Sequence, residues 1–454
     1  MRPSPPRTVL MLQGPPCRFW RELGDGLRAE GFRVLHVGFC LADLALWRRR
    51  GQRLWRGRLA DWPAHLSALI AAEGVTDILY YADRLPYHAA AIEVARAAGI
   101  RAWAIENGYL RPDWLTMEPE AMGALSRFPR DPAEIRRLAG DAAVPEATPR
   151  YRHGFAREAV SEVVFHLAMV LGRPIFPNYM ADKHYPPLLD YLSWLRKWSL
   201  GGAAVRAAAR AEAACRRRDW PFVLLAMQLQ SDYQIRASSP YGCLSEMLED
   251  AIASFAAHAP ARLRLVVKLH PMDNGWENWP ARIARLARAH GVADRVLAID
   301  GGSLDLFLER AEGVLTVNST VGIHALRRGR PVLALGDAVY DMPGLTHQGG
   351  LGRFWARPEA PEPELRDAFL AALADRIQLR GSFYDPAGRA AAVAEIARRL
   401  GKPERHWLLC RPVEALGLAA QARPGGTADA ATEPGDLGPA GSPALALRQQ
   451  RQMA

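Results

Sequence analysis

Twice along this chain, apolar runs of strand length alternate with stretches of helical pattern, and no other feature narrows the fold as far. In the first half the runs fall at 8–12, 34–37, 77–81 and 101–105, separated by helical patterns up to Ala29, over Trp62–Glu73 and over His88–Ala98. In the second half they fall near 222–227, 263–269, 295–299, 313–317 and 331–335, with a helical pattern over Leu244–Ala257. Strands separated by helices of this length pair in parallel and bury both faces of their sheet. At 454 residues the chain is too long for one compact core. The expected fold class is therefore α/β, with two Rossmann-like, doubly wound domains at 1–200 and 201–420 facing a central cleft. Residues 119–200 read as helices and a connection, and the Ala/Gly/Pro/Thr-rich stretch 421–454 reads as a disordered tail.

Ligands of open parallel sheets bind outside the carboxyl ends of the strands. Three strand ends here carry polar motifs. The run 222–227 empties into Gln228-Leu229-Gln230-Ser231-Asp232-Tyr233-Gln234, the run 263–269 ends on His270-Pro271, and Asn318-Ser319-Thr320 closes 313–317 and opens a helix.

Composition removes several classes of function. The net charge of +10 rests mainly on arginine, which suits either solvated helix faces or attraction to an anionic membrane surface and an anionic sugar nucleotide. No basic run is interleaved with aromatics, so a nucleic-acid partner is not expected. Five scattered cysteines without CxxC spacing form neither a disulfide framework nor a zinc site, and they fit a reducing cytosol. There is no GxGxxG after the first strand and no Walker A motif. The apolar run Val9–Leu12 is too short for a signal peptide, and no stretch approaches the roughly 18 apolar residues of a membrane span. A soluble or peripheral protein, not exported, is the expectation.

Each candidate site residue has two readings. Asn318, Ser319 and Thr320 form either an anion site, from exposed N–H groups and two hydroxyls, or a plain helix cap. His270 either donates a proton or hydrogen bond to a phosphate or is simply bonded at a strand end. Lys268 shares its strand face and either adds positive charge or is an ordinary strand lysine. Asp232 and Glu106, each after a strand, either face one another across the cleft or cap local turns. His324, four residues beyond Thr320, reads as helix packing.

Five motifs in register give the chain a resemblance: Gln13-Gly14-Pro15, Glu106-Asn107-Gly108-Tyr109-Leu110-Arg111-Pro112-Asp113-Trp114, Gln230 to Ile235, Lys268-Leu269-His270-Pro271 and Asn318-Ser319-Thr320-Val321-Gly322. Together they resemble the bacterial capsule polysaccharide synthesis proteins of the KpsS/LipB type, single-module relatives of the two-module KpsC/LipA β-Kdo transferases. The resemblance implies a GT-B-like fold and a metal-independent glycosyltransferase. Such an enzyme would use CMP-Kdo (3-deoxy-manno-octulosonate) as donor, take no cofactor, and start an oligo-Kdo primer on (lyso)phosphatidylglycerol with net retention. Retention suits a double displacement, with Asp232 as nucleophile and Glu106 as acid/base by resemblance. His270 would act at the leaving phosphate. Gln230, Gln234, Lys268, Pro271, Asn318, Ser319 and Thr320 would hold the donor, and Gln13, Gly14, Tyr109, Arg111 and Trp114 the acceptor. A KpsC-type transferase and the capsule export complex are the further partners to consider. Transfer of another sugar in surface polysaccharide synthesis, or a non-catalytic role in capsule assembly and export, stay open as alternatives.

Overall fold

The computed structural model describes residues 7–151, 154–181, 192–194, 197 and 202–402, so the expected tail at 421–454 lies outside the described residues. Its strands are β1 (Thr8–Met11), β2 (Arg33–Gly38), β3 (Gln52–Leu54), β4 (Val75–Tyr81), β5 (Arg101–Asn107), β6 (Trp114–Pro119), β7 (Phe222–Ala226), β8 (Arg264–Lys268), β9 (Val296–Ile299), β10 (Gly313–Thr316), β11 (Val332–Ala334) and β12 (Gln378–Arg380). They form two sheets, ordered β12-β6-β5-β4-β1-β2-β3 and β11-β10-β7-β8-β9. With helices on both faces of each sheet and a cleft between them, this is a GT-B-like α/β layout.

Period and burial explain the strands. Every residue of β1 and β7 is buried, as are four of the five in β8, because parallel strands between helical layers must be apolar on both faces. The second sheet is parallel throughout. Its two faces carry separate cores, one around Leu224, Val266 and Val314 and the other around Val223, Leu265 and Leu315.

The first sheet departs from the expected parallel pattern. β5 and β6 pair antiparallel, with Glu106 opposite Thr116 and Asn107 opposite Leu115, so the segment Gly108–Asp113 is the tip of a hairpin. The chain also leaves the second domain well before residue 420. β12 pairs antiparallel with β6, placing Arg380 opposite Trp114. The Arg380 guanidinium bonds both oxygens of Asp113 at 2.7 Å. The following helix, Pro386–Gly401, packs on Phe19–Ala29. That approach needs glycine at Gly26, where a Cβ would stand 2.4 Å from Val393. A three-residue strand shows no usable period in a sequence, and only its partners identify it. Among the described residues no helix is long and apolar enough to cross a membrane.

Candidate active site

Strand order reverses direction beside β7, which lies between β8 and β10. The loops leaving such neighbouring strands part and open a crevice. Here the loops after β7 and β10 are tied across it. The Gln228 carboxamide donates to Asn318 Oδ1 at 2.9 Å and to Asp232 Oδ2 at 3.0 Å, and its oxygen accepts from the Asn318 backbone N–H at 3.1 Å. Asp232 Oδ1 accepts from the Gln234 N–H at 3.0 Å, so Asp232 caps the short helix Tyr233–Ala237. Its two readings are thus compatible: the cap fixes the carboxylate, and the carboxylate borders the cleft.

The cleft encloses about 560 Å³ and takes walls from both domains. From the first come Glu106, Tyr109 and Arg111; from the second come Asp232, Gln234, Lys268, His270, Pro271, Asn318, Ser319 and Thr320. Glu106 is half-buried at the end of β5, and burial pushes its carboxyl up to about 7. Arg111 opposes that rise, while the charges of Asp83 and Asp232 add to it. His270 is held near 4 by burial and by the cations Arg111, Lys197 and Lys268. Its Nδ1 accepts from the Met272 N–H at 3.1 Å, which leaves Nε2–H as the donor of a neutral ring. Lys268 gives its ammonium to the Gly301 carbonyl, and burial lowers its pKa.

The Asn318 side chain is spent on structure, since its Nδ2 reaches the carbonyls of Gln234 and Ser238 at 3.4 Å. Ser319 Oγ accepts from the Val321 N–H at 3.3 Å. The buried Tyr340 hydroxyl donates to the Ser319 carbonyl at 2.7 Å. Gly322 permits that contact, because a Cβ there would stand 2.4 Å from the hydroxyl.

Four candidates lie apart from the cleft lining. Gln13 is buried, its Nε2 on Asp43 at 3.0 and 3.1 Å and its Oε1 accepting from the Tyr179 hydroxyl at 3.2 Å. Gly14 sits against Trp20, 2.3 Å from any Cβ. Trp114 is buried under Arg380, whose guanidinium is 4.2 Å from the ring centroid. Gln230 Oε1 accepts from the Leu244 N–H at 3.1 Å and so serves the helix Leu244–His258.

Other groups in or beside the cleft carry weaker signals. His324 lines the cleft and is held near 4 by burial and by Arg328, Arg327 and Arg111, which corrects its reading as helix packing. Asp83, buried beyond β4, accepts from the Tyr233 hydroxyl of the other domain at 3.0 Å. Gln228 and Asp83 were reachable by the strand-end rule, since each closely follows a strand. Arg111 acts on Glu106 in one domain and on His270 and His324 in the other, so its place is central. Among the described residues, no group of three or more His, Cys, Asp or Glu is arranged to hold a metal ion.

Comparison with known proteins places the chain among capsule polysaccharide proteins. The family model described as "Capsule polysaccharide biosynthesis protein" matches residues 76–384. The chain is 30% identical to the Escherichia coli "Capsule polysaccharide export protein KpsS", covering 83% of this chain and 97% of that protein. It is 28% identical to the "Capsule polysaccharide modification protein LipB" of Neisseria meningitidis serogroup B, covering 83% of this chain and 91% of that protein. Among solved structures, "Thermosulfurimonas dismutans KpsC, beta Kdo 2,7 transferase" aligns with 87% of this chain and 100% of its own, at 15% identity and a TM-score of 0.42.

Proposed function

The chain belongs to the family of capsule polysaccharide biosynthesis proteins, and from that premise we propose that it is a retaining β-Kdo glycosyltransferase. It takes CMP-Kdo as donor and starts a lipid-linked oligo-Kdo primer on (lyso)phosphatidylglycerol at the inner-membrane surface. One observation carries the reading: carboxylates from different domains, Glu106 and Asp232, border one cleft, and the charge of Asp232 adds to the rise of the Glu106 carboxyl.

In the first step an Asp232 oxygen bonds to the anomeric carbon while the bond from that carbon to the CMP phosphate oxygen breaks. The departing phosphate takes both electrons and is met by the Nε2–H of neutral His270, the hydroxyls of Ser319 and Thr320, and the Arg111 cation. A phosphate leaving group needs no proton, so a neutral histidine that donates a hydrogen bond suffices. In the second step ionised Glu106 takes the proton of the acceptor hydroxyl as its oxygen displaces Asp232. A carboxyl near 7 is well matched to that base, being substantially ionised near neutrality yet basic enough to accept a proton. Two inversions at the anomeric carbon give retention.

The test is purified protein with CMP-Kdo and a fluorescent phosphatidylglycerol analogue. The expected result is a slower-migrating product containing one Kdo. Absence of product with CMP-Kdo, together with turnover of another nucleotide sugar, would replace the donor and leave the cleft assignment to be retested with that sugar.

A further inference from the structure

The helix Phe155–Leu171 is turned the opposite way from a helix that meets water. Val160, Val163, Val164, Leu167, Val170 and Leu171 are all exposed, at spacings of three and four that put them on one stripe. Val160 is 62% exposed and Leu171 72%. With Ile175 and Met180, which are also exposed, eight of the fourteen exposed large apolar side chains among the described residues fall within 160–180. The helix's two carboxylates, Glu158 and Glu162, are half-buried, and their charges act on Tyr384, on Cys17 and on Tyr81. Beside the helix runs an apolar groove of about 490 Å³, bounded by Leu46, Val164, Phe165 and Phe383, with Arg18 and Arg157 at its rim.

We propose that this stripe and groove are the face by which the protein docks on an anionic lipid bilayer, the groove receiving part of an acyl chain. Two observations favour lipid over a protein partner. The exposed row holds only Val, Leu, Ile and Met, whereas protein hot spots are enriched in Trp, Tyr and Arg, with Leu and Val under-represented. Arginines also flank the row, with the exposed Arg18 and Arg157 near its start and Arg173 just after its end, which suits anionic headgroups around an apolar centre. The helix is 17 residues long, short for a span, and fits lying in the interface.

Buried Tyr81 lies in the field of both Glu162 of this helix and Glu106 of the cleft wall. The choice of lipid as partner rests on the proposed function; the inverted stripe does not.

Flotation with vesicles of phosphatidylethanolamine and phosphatidylglycerol, at about 0.15 M and about 0.5 M salt, tests the inference. Wild-type protein is expected to bind more weakly at the higher salt but to stay bound, because the apolar contribution is not screened. A Val160→Ser/Leu167→Ser/Leu171→Ser variant should bind about tenfold less at both salts, with an unchanged thermal melt and unchanged transfer to a water-soluble acceptor. If the triple variant does not fold, Leu171→Asp alone, at the helix end, should still reduce flotation about threefold. Flotation equal to wild type in a folded variant overturns the proposal, as does a change confined to oligomeric state. A protein that floats as expected but transfers no Kdo keeps the docking face and removes only the sugar-transfer reading.

Discussion

The two sheets contain the same crevice and use it differently. In the second, the loops after β7 and β10 part, and the opening becomes a wall of the cleft. In the first, β1 lies between β2 and β4, and the equivalent opening after β1 falls at Gln13. There the Tyr179 hydroxyl and the buried Asp43 carboxylate take up the Gln13 carboxamide, and the crevice is filled. Each crevice is bridged by a glutamine, Gln13 in one and Gln228 in the other. One bridges buried groups; the other holds Asp232 and Asn318 at a solvent-accessible edge. Topology supplies a crevice, and the side chains that fill or spare it decide whether a ligand can enter.

The largest expected effect separates the open crevice from everything else. Asp232→Asn keeps shape and loses the attacking charge, so transfer should fall by about a thousandfold or more while donor binding persists. Glu106→Gln should stall the second step, and intact-protein mass spectrometry would then find a Kdo adduct on Asp232. Near-normal turnover in Asp232→Asn would move the nucleophile elsewhere.

The paired glutamines test the comparison directly. Gln228→Ala releases Asp232 and leaves the Asn318 carboxamide oxygen unpaired, and should raise the KM for donor roughly tenfold. Gln13→Ala should cost about 1–3 kcal/mol of stability through the stranded Asp43 and Tyr179 groups, and leave the donor KM unmoved. A Gln13→Ala enzyme with a raised donor KM would show that the first crevice takes part in donor binding after all.

Acidity gives the next effect. The base form of Glu106 is the ionised one, and its population rises as pH rises through about 7. Second-step turnover should therefore fall about tenfold per pH unit well below that value, and Glu106→Gln should lose this acid limb. His270, already neutral above about 4, should add no limb near neutrality. Stability runs the opposite way: the folded pKa of Glu106 lies above its ordinary value of 4.5, so its contribution to stability is fully present below about 4.5 and is lost as pH rises through about 7.

The smallest effect concerns the link between the halves. Tyr233→Phe removes the hydroxyl that spans from the second domain to Asp83 of the first. A few-fold fall in kcat with a smaller change in donor KM is expected, since two hydrogen bonds of about 1 kcal/mol each are lost, the one to Asp83 and the one from Gln234 Nε2. A large rise in donor KM instead would mean that Tyr233 belongs to the donor wall itself.

Much of the second half could be read from the chain because its strands are short apolar runs buried on both faces, and each polar residue just after such a run falls on the ligand side. Asp232, His270 and Ser319 follow that rule and line the cleft. Gln13 and Gly14 follow the same rule at β1 and yet lie away from the cleft, since the rule locates a crevice and not what fills it. Tyr179, which occupies this one, sits 166 residues from Gln13. Trp114 and Gln230 show the same gap, as a residue in a functional-looking motif can be spent on packing or on a helix end.

Sequence alone determined the two α/β halves, most strand positions of both sheets and the motifs at their ends, because hydrophobic period and turn chemistry are local. Tertiary structure alone decided that Gly108–Asp113 is a hairpin tip, that β12 returns to the first sheet, and that the charge of Arg111 acts on both Glu106 and His270. The hairpin depends on an antiparallel partner that strand period does not specify, the return of β12 on pairing across hundreds of residues, and the effect of Arg111 on groups that no local window contains. The carboxyl of Glu106 reaches about 7 for that reason: its neighbours in the chain do not raise it, while the interior and the opposing Asp232 do.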